Sequence, residues 1–388
     1  MSSRDSLAGA TAICGLGMTE LGRVYDRSAS DFAAEAVLAA LADAGLEKSD
    51  LDGLLLNAGV SQGIDLSLVQ TLGLRELALL TQMNAWGSSA GQMVQYAALA
   101  VHHGLAKHVA CVFADAPLVH GQRAGQAYGG ARARRPGLGS LLPSLGFAGP
   151  IPFYALHAQR HMDVYGTTQD QLGAIALAAR GWARLNPKAA MQDELTLAAY
   201  HASPWVVAPF HVLDCCLVSN GAICVIVTSA ERARALARPP VYVHGVGQAH
   251  QLEWSDERPS LAGRSSRAAF AMAGCSAADI EQCQIYDCYT FTALTTLEDY
   301  GFCKRGEGGP FAASGAIAPG GALPMNTGGG MLSSYYMWGM TPISEAVVQA
   351  RGSGGERQVA RNGRIAVSGN GGIFNHHSTL VLSPHARD

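Results

Sequence analysis

Apolar positions along the chain alternate between two rhythms. Short compact runs, Leu54-Leu-Leu56, His108–Ala114 and Ala222-Ile-Cys-Val-Ile-Val-Thr228, have the length and β-branched character of buried strands. Ala10–Cys14 is a further strand, running into Gly15-Leu-Gly17. Between these lie alanine-rich stretches with helical spacing. Ser30-Asp31 caps a helix that runs through Ala44 and stops at Gly45, with Phe32, Leu38 and Leu41 along its apolar face. Small residues from Gln82 to Gln92 form a strand-to-helix turn before a buried helix, Met93–His103. Helices follow over Tyr154–Tyr165 and Thr168–Leu185.

The same order of elements occurs twice. Ala40–Gly45, Asp50-Leu51 and Leu54–Leu56 correspond to Ala269–Gly274, Asp279-Ile280 and Gln284-Ile285, all displaced by 229 residues. In each copy a helix stops at glycine, a short loop carries an acidic residue, and a strand follows. Gly87–Gly91 before Met93–His103 pairs with Gly328–Gly330 before Pro342–Gln349. The strands after them are His108–Ala114 and Arg364–Ser368. The duplication predicts an α/β protein of two similar layers facing each other, their equivalent loops converging on one site near a pseudo-twofold axis. The expected halves are 1–230, including a loop region at about 115–210, and 231–388.

Composition narrows the function. Of 388 residues, 48% are hydrophobic and 15% charged, which implies extensive burial, including a subunit interface. The formal charge of −3 gives no basic footprint for nucleic acid. No apolar run reaches the roughly 18 residues of a membrane span, and the N-terminus lacks the apolar core of a secretory signal. Nine scattered cysteines fit a reduced, cytoplasmic protein. Gly15-Leu-Gly17 is followed by Glu20 where a dinucleotide fingerprint needs a third glycine. His157 and His161 share a helix face but lack the glutamate of a zinc-protease motif, so no metal is expected. The loop from Pro117 to Pro152 carries Arg123, Arg132, Arg134 and Arg135, which suit either phosphate groups or solvent.

The densest chemistry lies in Met325–Met340. Gly328, Gly329 and Gly330 allow close backbone approach, Ser333, Ser334, Tyr335 and Tyr336 follow, and Thr341-Pro342 opens a helix. This stretch, together with Tyr286-Asp-Cys-Tyr-Thr-Phe-Thr292, Leu297–Pro310, Leu213–Ala222 and Ser368-Gly-Asn-Gly-Gly372, resembles the thiolase superfamily in its sterol-carrier/lipid-transfer-protein branch. The resemblance covers the chain end to end. It implies the duplicated α/β/α/β/α thiolase fold, a loop and helix insertion over the site, and a homodimer.

The departures from that family define the chemistry. The family's nucleophilic cysteine motif reads Asn84-Ala-Trp-Gly87-Ser-Ser89, with glycine at the nucleophile position, and no acyl-enzyme forms on a glycine. Its Gly-His-Pro histidine aligns with Tyr336, and the first position of its Asn-Glu-Ala-Phe motif with Tyr286. Ser368-Gly-Asn-Gly-Gly replaces the second reactive cysteine. This pattern resembles the thiolase-like retro-aldolases of steroid side-chain degradation. The implied reaction is cleavage of a β-hydroxyacyl-CoA, such as a 17-hydroxy steroid side-chain thioester, to a ketone and a shorter acyl-CoA such as propionyl-CoA.

On that resemblance Tyr336 serves the substrate hydroxyl and Tyr286 protonates the enolate, with exchanged roles an alternative. The amides of Gly328–Gly330, Gly371 and Gly372 are expected to bind the thioester, with His376 or His377 assisting. No cofactor is expected beyond the CoA of the substrate, and a small zinc-ribbon/OB-fold partner is. Two other readings stand beside the lyase: an acyltransferase using Ser88 or Ser89, and a non-catalytic acyl-CoA or lipid-binding scaffold.

Overall fold

The computed structural model describes residues 6–127, 141–147, 149–251 and 260–387, so Arg132, Arg134 and Arg135 lie outside the described residues. The first half is built from β1 (Thr11–Met18), α1 (Ala29–Ala44), β2 (Gly53–Ala58), α2 (Leu68–Leu72), β3 (Leu79–Gln82), α3 (Ser89–His102) and β4 (His108–Asp115). An insertion follows, with α4 (Leu141–Ser144), α5 (Ile151–Tyr165), α6 (Gln169–Arg184), α7 (Leu197–Ala202) and the hairpin β5 (Trp205–Val207) and β6 (Phe210–His211). β7 (Gly221–Ser229) and α8 (Ala230–Ala233) lead to the second half. That half contains β8 (Val241–His250), α9 (Ala262–Ala273), β9 (Gln282–Gln284), α10 (Thr290–Asp299), α11 (Gly308–Ala313), α12 (Met340–Ala350), β10 (Ile365–Gly371) and β11 (His376–Ser383).

The strand order of the nine-stranded sheet, β3-β2-β4-β7-β1-β8-β11-β10-β9, is nearly palindromic. Its two halves meet where β1 and β8 share only Ala12↔Tyr242 and Ile13↔Val241. Helices α3 and α12 touch strands of both halves, whereas α1 touches the first half and α9 the second. The result is five layers: outer helices, half-sheet, central helices, half-sheet, outer helices. This is the α/β/α/β/α architecture, with the core in two slabs, one under α1 and a larger one around the central helices.

The duplication read from the 229-residue displacement has a physical counterpart. A Cβ at Gly15 or Gly17 would run into the Ala40 and Ala36 carbonyls of α1. One at Gly245 or Gly247 would run into the Ala269 and Ser265 carbonyls of α9. Each outer helix therefore lies directly on the glycines of its strand. Both acidic loops make the same one-turn cap, Asp50 accepting from Glu47 N–H and Asp279 from Ser276 N–H, each at 2.8 Å.

Four local expectations change. The α1 cap is Ser28, closing a reciprocal box with Asp31, and Leu38 lies on the exposed side because the apolar stripe runs through Phe32, Ala36, Val37, Ala40 and Leu41. Helix α12 starts at Met340, ahead of Thr341-Pro342. The partner of the Gly87 turn is therefore Trp338-Gly339, not Gly328–Gly330. Trp86 (φ 49°) and Trp338 (φ 45°) share a left-handed backbone, and each is flanked by the same bridge, Ala85↔Gly87 and Met337↔Gly339.

Candidate active site

The site is assembled where the N-terminus of α3 meets two loops of the second half. Tyr286 follows β9 directly. Its N–H donates to Ser368 Oγ on β10 at 2.9 Å, which fixes the backbone from which the phenol projects. The ring then occupies the space in front of Gly87: a Cβ built there would lie only 2.1–2.4 Å from Tyr286 Cε2, Cζ and hydroxyl. Gly87 is thus more than a missing nucleophile. Its absent side chain is the room that the phenol fills, so no cysteine fits at 87 while Tyr286 keeps this position.

Tyr336 reaches the same point from the other loop. Its N–H donates to Ser219 Oγ at 3.1 Å, and its hydroxyl lies 2.9 Å from that of Tyr286. Burial, with Cys288 adding to it, holds the Tyr286 phenol well above the ordinary tyrosine range, so Tyr286 is a protonated group at neutral pH. Cys215 is pushed up by burial to about 12, and burial also raises Cys216 and Cys288. Thiols held protonated in this way are poor nucleophiles.

The insertion holds the roof of the site. Asp214, just before the Cys215–Asn220 segment, is wholly buried and accepts from Tyr200 hydroxyl (2.8 Å), Thr290 hydroxyl (2.6 Å) and His211 N–H (2.7 Å). This ties the insertion to the start of α10 and places Ser219 against Tyr336. From α5, Tyr154 hydroxyl accepts the Asn370 side-chain amide at 2.9 Å.

The other expected site residues distribute differently. Gly328 packs toward the Glu345 carboxylate, Gly329 against Ala183 of α6, and Gly330 against Asp287. The Gly329 N–H is spent on Asn326 carbonyl at 2.8 Å, so that amide of the triplet does not aim at a ligand. These glycines also bring elements close together. Gly371 and Gly372 lie against the Ala85-Trp86 turn, adjoining the site. His376 stacks on Trp86, with its Nδ1 2.9 Å from His250 Nδ1, at the outer edge of that turn. His377 is a core residue bonded to Ser265 hydroxyl at 2.8 Å, and burial pushes its imidazole down to about 3. His161 bonds Thr167 hydroxyl (2.8 Å) and Glu298 (3.1 Å), and His157 packs on Phe374.

Ser88 and Ser89 are fully buried. Ser88 Oγ accepts from Gln92 Nε2 at 2.8 Å and Ser89 Oγ from Ala85 N–H at 2.6 Å, so both hydroxyls serve the α3 turn. Alternation along β10 settles which residue of the last glycine motif faces position 87. Ser368 points to the Tyr286 backbone, whereas a Cβ at Gly369 would lie 2.8 Å from Gly87 carbonyl. Gly369, rather than Ser368, occupies the place that faces position 87. The two-residue period of a strand was the signal available for this.

Comparison with known proteins finds relatives over most of the chain. Residues 245–384 match the family model "Thiolase C-terminal domain-like". A "Steroid side-chain-cleaving aldolase" of Thermomonospora curvata is 38% identical over 365 residues, covering 89% of this chain and 92% of that protein. A "17-hydroxy-3-oxo-4-pregnene-20-carboxyl-CoA lyase" of Mycobacterium tuberculosis is 35% identical over 89% of this chain and 93% of its own length. A solved structure described as "Ltp2-ChsH2(DUF35) aldolase" superposes with a TM-score of 0.86 at 35% identity, covering 97% of this chain and 98% of the other.

Proposed function

The chain belongs to the thiolase superfamily, and from that premise we propose that it is a lyase cleaving a β-hydroxyacyl-CoA by retro-aldol chemistry. The substrate class is a 17-hydroxy steroid side-chain thioester, and the products are a ring ketone and a short acyl-CoA such as propionyl-CoA. One observation carries the reading: two phenol oxygens 2.9 Å apart, one of them filling the place where a thiolase-type nucleophile would stand.

The atoms balance without an external acid or base. Tyr336 takes the β-hydroxyl proton as it passes its own along the hydrogen bond to Tyr286. The Cα–Cβ bond breaks, its electron pair moves onto the α-carbon and thioester as an enolate, and the β-carbon becomes a ketone. Tyr286 gives its own proton to the α-carbon in the same concerted relay in which it takes that of Tyr336, so neither phenol carries two protons at any stage. The hydroxyl proton has in effect moved to the α-carbon, and both tyrosines end neutral. Burial that keeps Tyr286 protonated suits it to the donor role. The N-terminal turn of α3, beside the Tyr286 hydroxyl, puts the positive end of a helix dipole where enolate charge develops. Beyond the CoA of the substrate the reaction asks for no cofactor.

Edge strand β3 leaves Leu80 38% exposed, with Tyr96 and Leu99 of α3 similarly exposed, and this suits pairing with a second copy as a homodimer. A small zinc-ribbon/OB-fold protein as partner, and a cytoplasmic location, complete the reading. Among the described residues no helix is long and apolar enough to cross a membrane.

The test is a product assay with the partner co-expressed, on wild type, Tyr286→Phe and Tyr336→Phe, following ketone and acyl-CoA by mass. Each substitution is expected to lower kcat at least ~100-fold with the circular dichroism unchanged. Cleavage that persists in both variants removes the tyrosine pair from the mechanism. A wild type that binds thioester and never cleaves it makes the chain a binding scaffold. Mass photometry tests the homodimer, and a monomer at micromolar concentration rejects it.

A further inference from the structure

Asp287 follows Tyr286, is buried, and takes no part in the proton path above. Its Oδ1 accepts the Met331 N–H at 2.9 Å, at the start of a π-turn over Gly330–Ser334 that ends just before Tyr335-Tyr336. The turn is folded onto this carboxyl. Gly330 has φ +61°, and a Cβ there would collide with Asp287 Oδ2. One residue thus holds both sides of the tyrosine pair: it is one peptide bond from Tyr286, and it caps the turn that delivers Tyr336.

The other side of the carboxyl faces a small void of about 10 Å³ lined by Gln284, Asp287, Asn326, Ser334, Tyr335 and Glu345, among others. Two buried polar atoms of residues that line it, Asp287 Oδ2 and Asn326 Nδ2, make no hydrogen bond of good geometry, although the two side chains lie close enough to interact. A void of that size lined by an orphan acceptor and an orphan donor matches one structural water. Asn326 is itself fixed, because its Oδ1 accepts Ile285 N–H at 2.6 Å.

We infer that Asp287, with one water bridging its Oδ2 to Asn326 Nδ2, is the positioning residue that sets the contact between Tyr286 and Tyr336. The inference rests on the tyrosine-pair reading for its effect on turnover, but not for the water site or the geometry. Burial pushes the Asp287 carboxyl up to about 7, against the lowering effect of the Met331 N–H and the Asn326 amide. The groups around it are Tyr286 and Cys288 on its own segment and Cys216 on the facing one. Across the void stand Tyr335 and Glu345, the latter paired with Arg357. The ionised carboxylate grips the turn amides more tightly, so turnover rises as pH passes through 7. Because the folded pKa is raised, stability runs the other way: it is greatest below the unfolded value and falls as pH rises through 7.

The experiment joins a high-resolution crystal structure with pH profiles of wild type and Asp287→Asn. Expected are density for one water within hydrogen-bond distance of Asp287 and Asn326, and a wild-type kcat that rises across pH 6–8 while Tm falls. In Asp287→Asn both trends flatten, and kcat drops roughly 10- to 100-fold with KM changed less than about 3-fold, the size of a misplaced reacting group. An empty void, or opposed pH trends that survive in Asp287→Asn, overturns the inference. If that variant does not fold, Asn326→Ser, which removes the second orphan, is expected to lose the water and lengthen the hydroxyl contact in its crystal structure. An unchanged contact counts against the inference. Should wild type prove not to be a lyase, the water and the hydroxyl distance still decide this inference alone.

Discussion

The turns Ala85-Trp86-Gly87 and Met337-Trp338-Gly339 have the same sequence pattern, the same left-handed tryptophan and the same place before a central helix, yet they do different work. Trp86 is 50% exposed and its glycine opens onto the Tyr286 phenol. Trp338 is 5% exposed, and its glycine is pressed against the Gly87 carbonyl. One copy of a repeated device opens onto the tyrosine pair, and the other is packed behind it. Symmetry fixes where the backbone goes, while the residues that arrive from other loops decide what each copy does.

Substitutions at matching positions break this comparison most sharply. Gly87→Ala drives a methyl against the edge of the Tyr286 ring and is expected to reduce product formation about 1,000-fold, a barrier change near 4 kcal/mol, with thermal melting shifted far less. Gly87→Cys is expected to give no acyl-enzyme by intact-mass measurement. Retained cleavage in Gly87→Ala would show that Tyr286 does not need its place. Gly339→Ala is expected to act on stability instead, costing about 3 kcal/mol in urea unfolding, because the added Cβ meets a backbone carbonyl with no room to yield. The tryptophans give the smallest contrast. Trp338→Ala, which empties a buried site packed on Phe113, is expected to cost about 3–5 kcal/mol. Trp86→Ala, half exposed, is expected to cost under about 1 kcal/mol. Equal losses at the two tryptophans would mean that the turns are not divided between reaction and support.

Much of this was legible in the residues. The 229-residue displacement predicted the duplicated architecture because helix stops and acidic caps are local signals, and local signals survive duplication. Tyr286 and Tyr336 stood out because each replaces a polar residue in a specific motif, and the structure brings their hydroxyls together. What sequence could not show was which surface each glycine serves. Gly328–Gly330 reads as a ligand cradle because glycine announces close approach without naming the neighbour; a Cβ at each of the three would meet Glu345, Ala183 and Asp287. The same ambiguity hid the meaning of Gly87, whose partner lies some 200 residues away in sequence. Which of Ser368 and Gly369 faces position 87 is hidden for a different reason: a shift of one position in a strand exchanges its faces.

The interlock between Gly87 and Tyr286 also orders the history open to this site. From a cysteine at 87, the tyrosine cannot enter until the thiol is gone. From the present pair, a cysteine cannot return until the tyrosine has left. Each route passes through a protein with neither group. The geometry therefore acts as a ratchet: a single substitution that puts a cysteine at 87 meets the Tyr286 ring, so exchanging one arrangement for the other requires both positions to change.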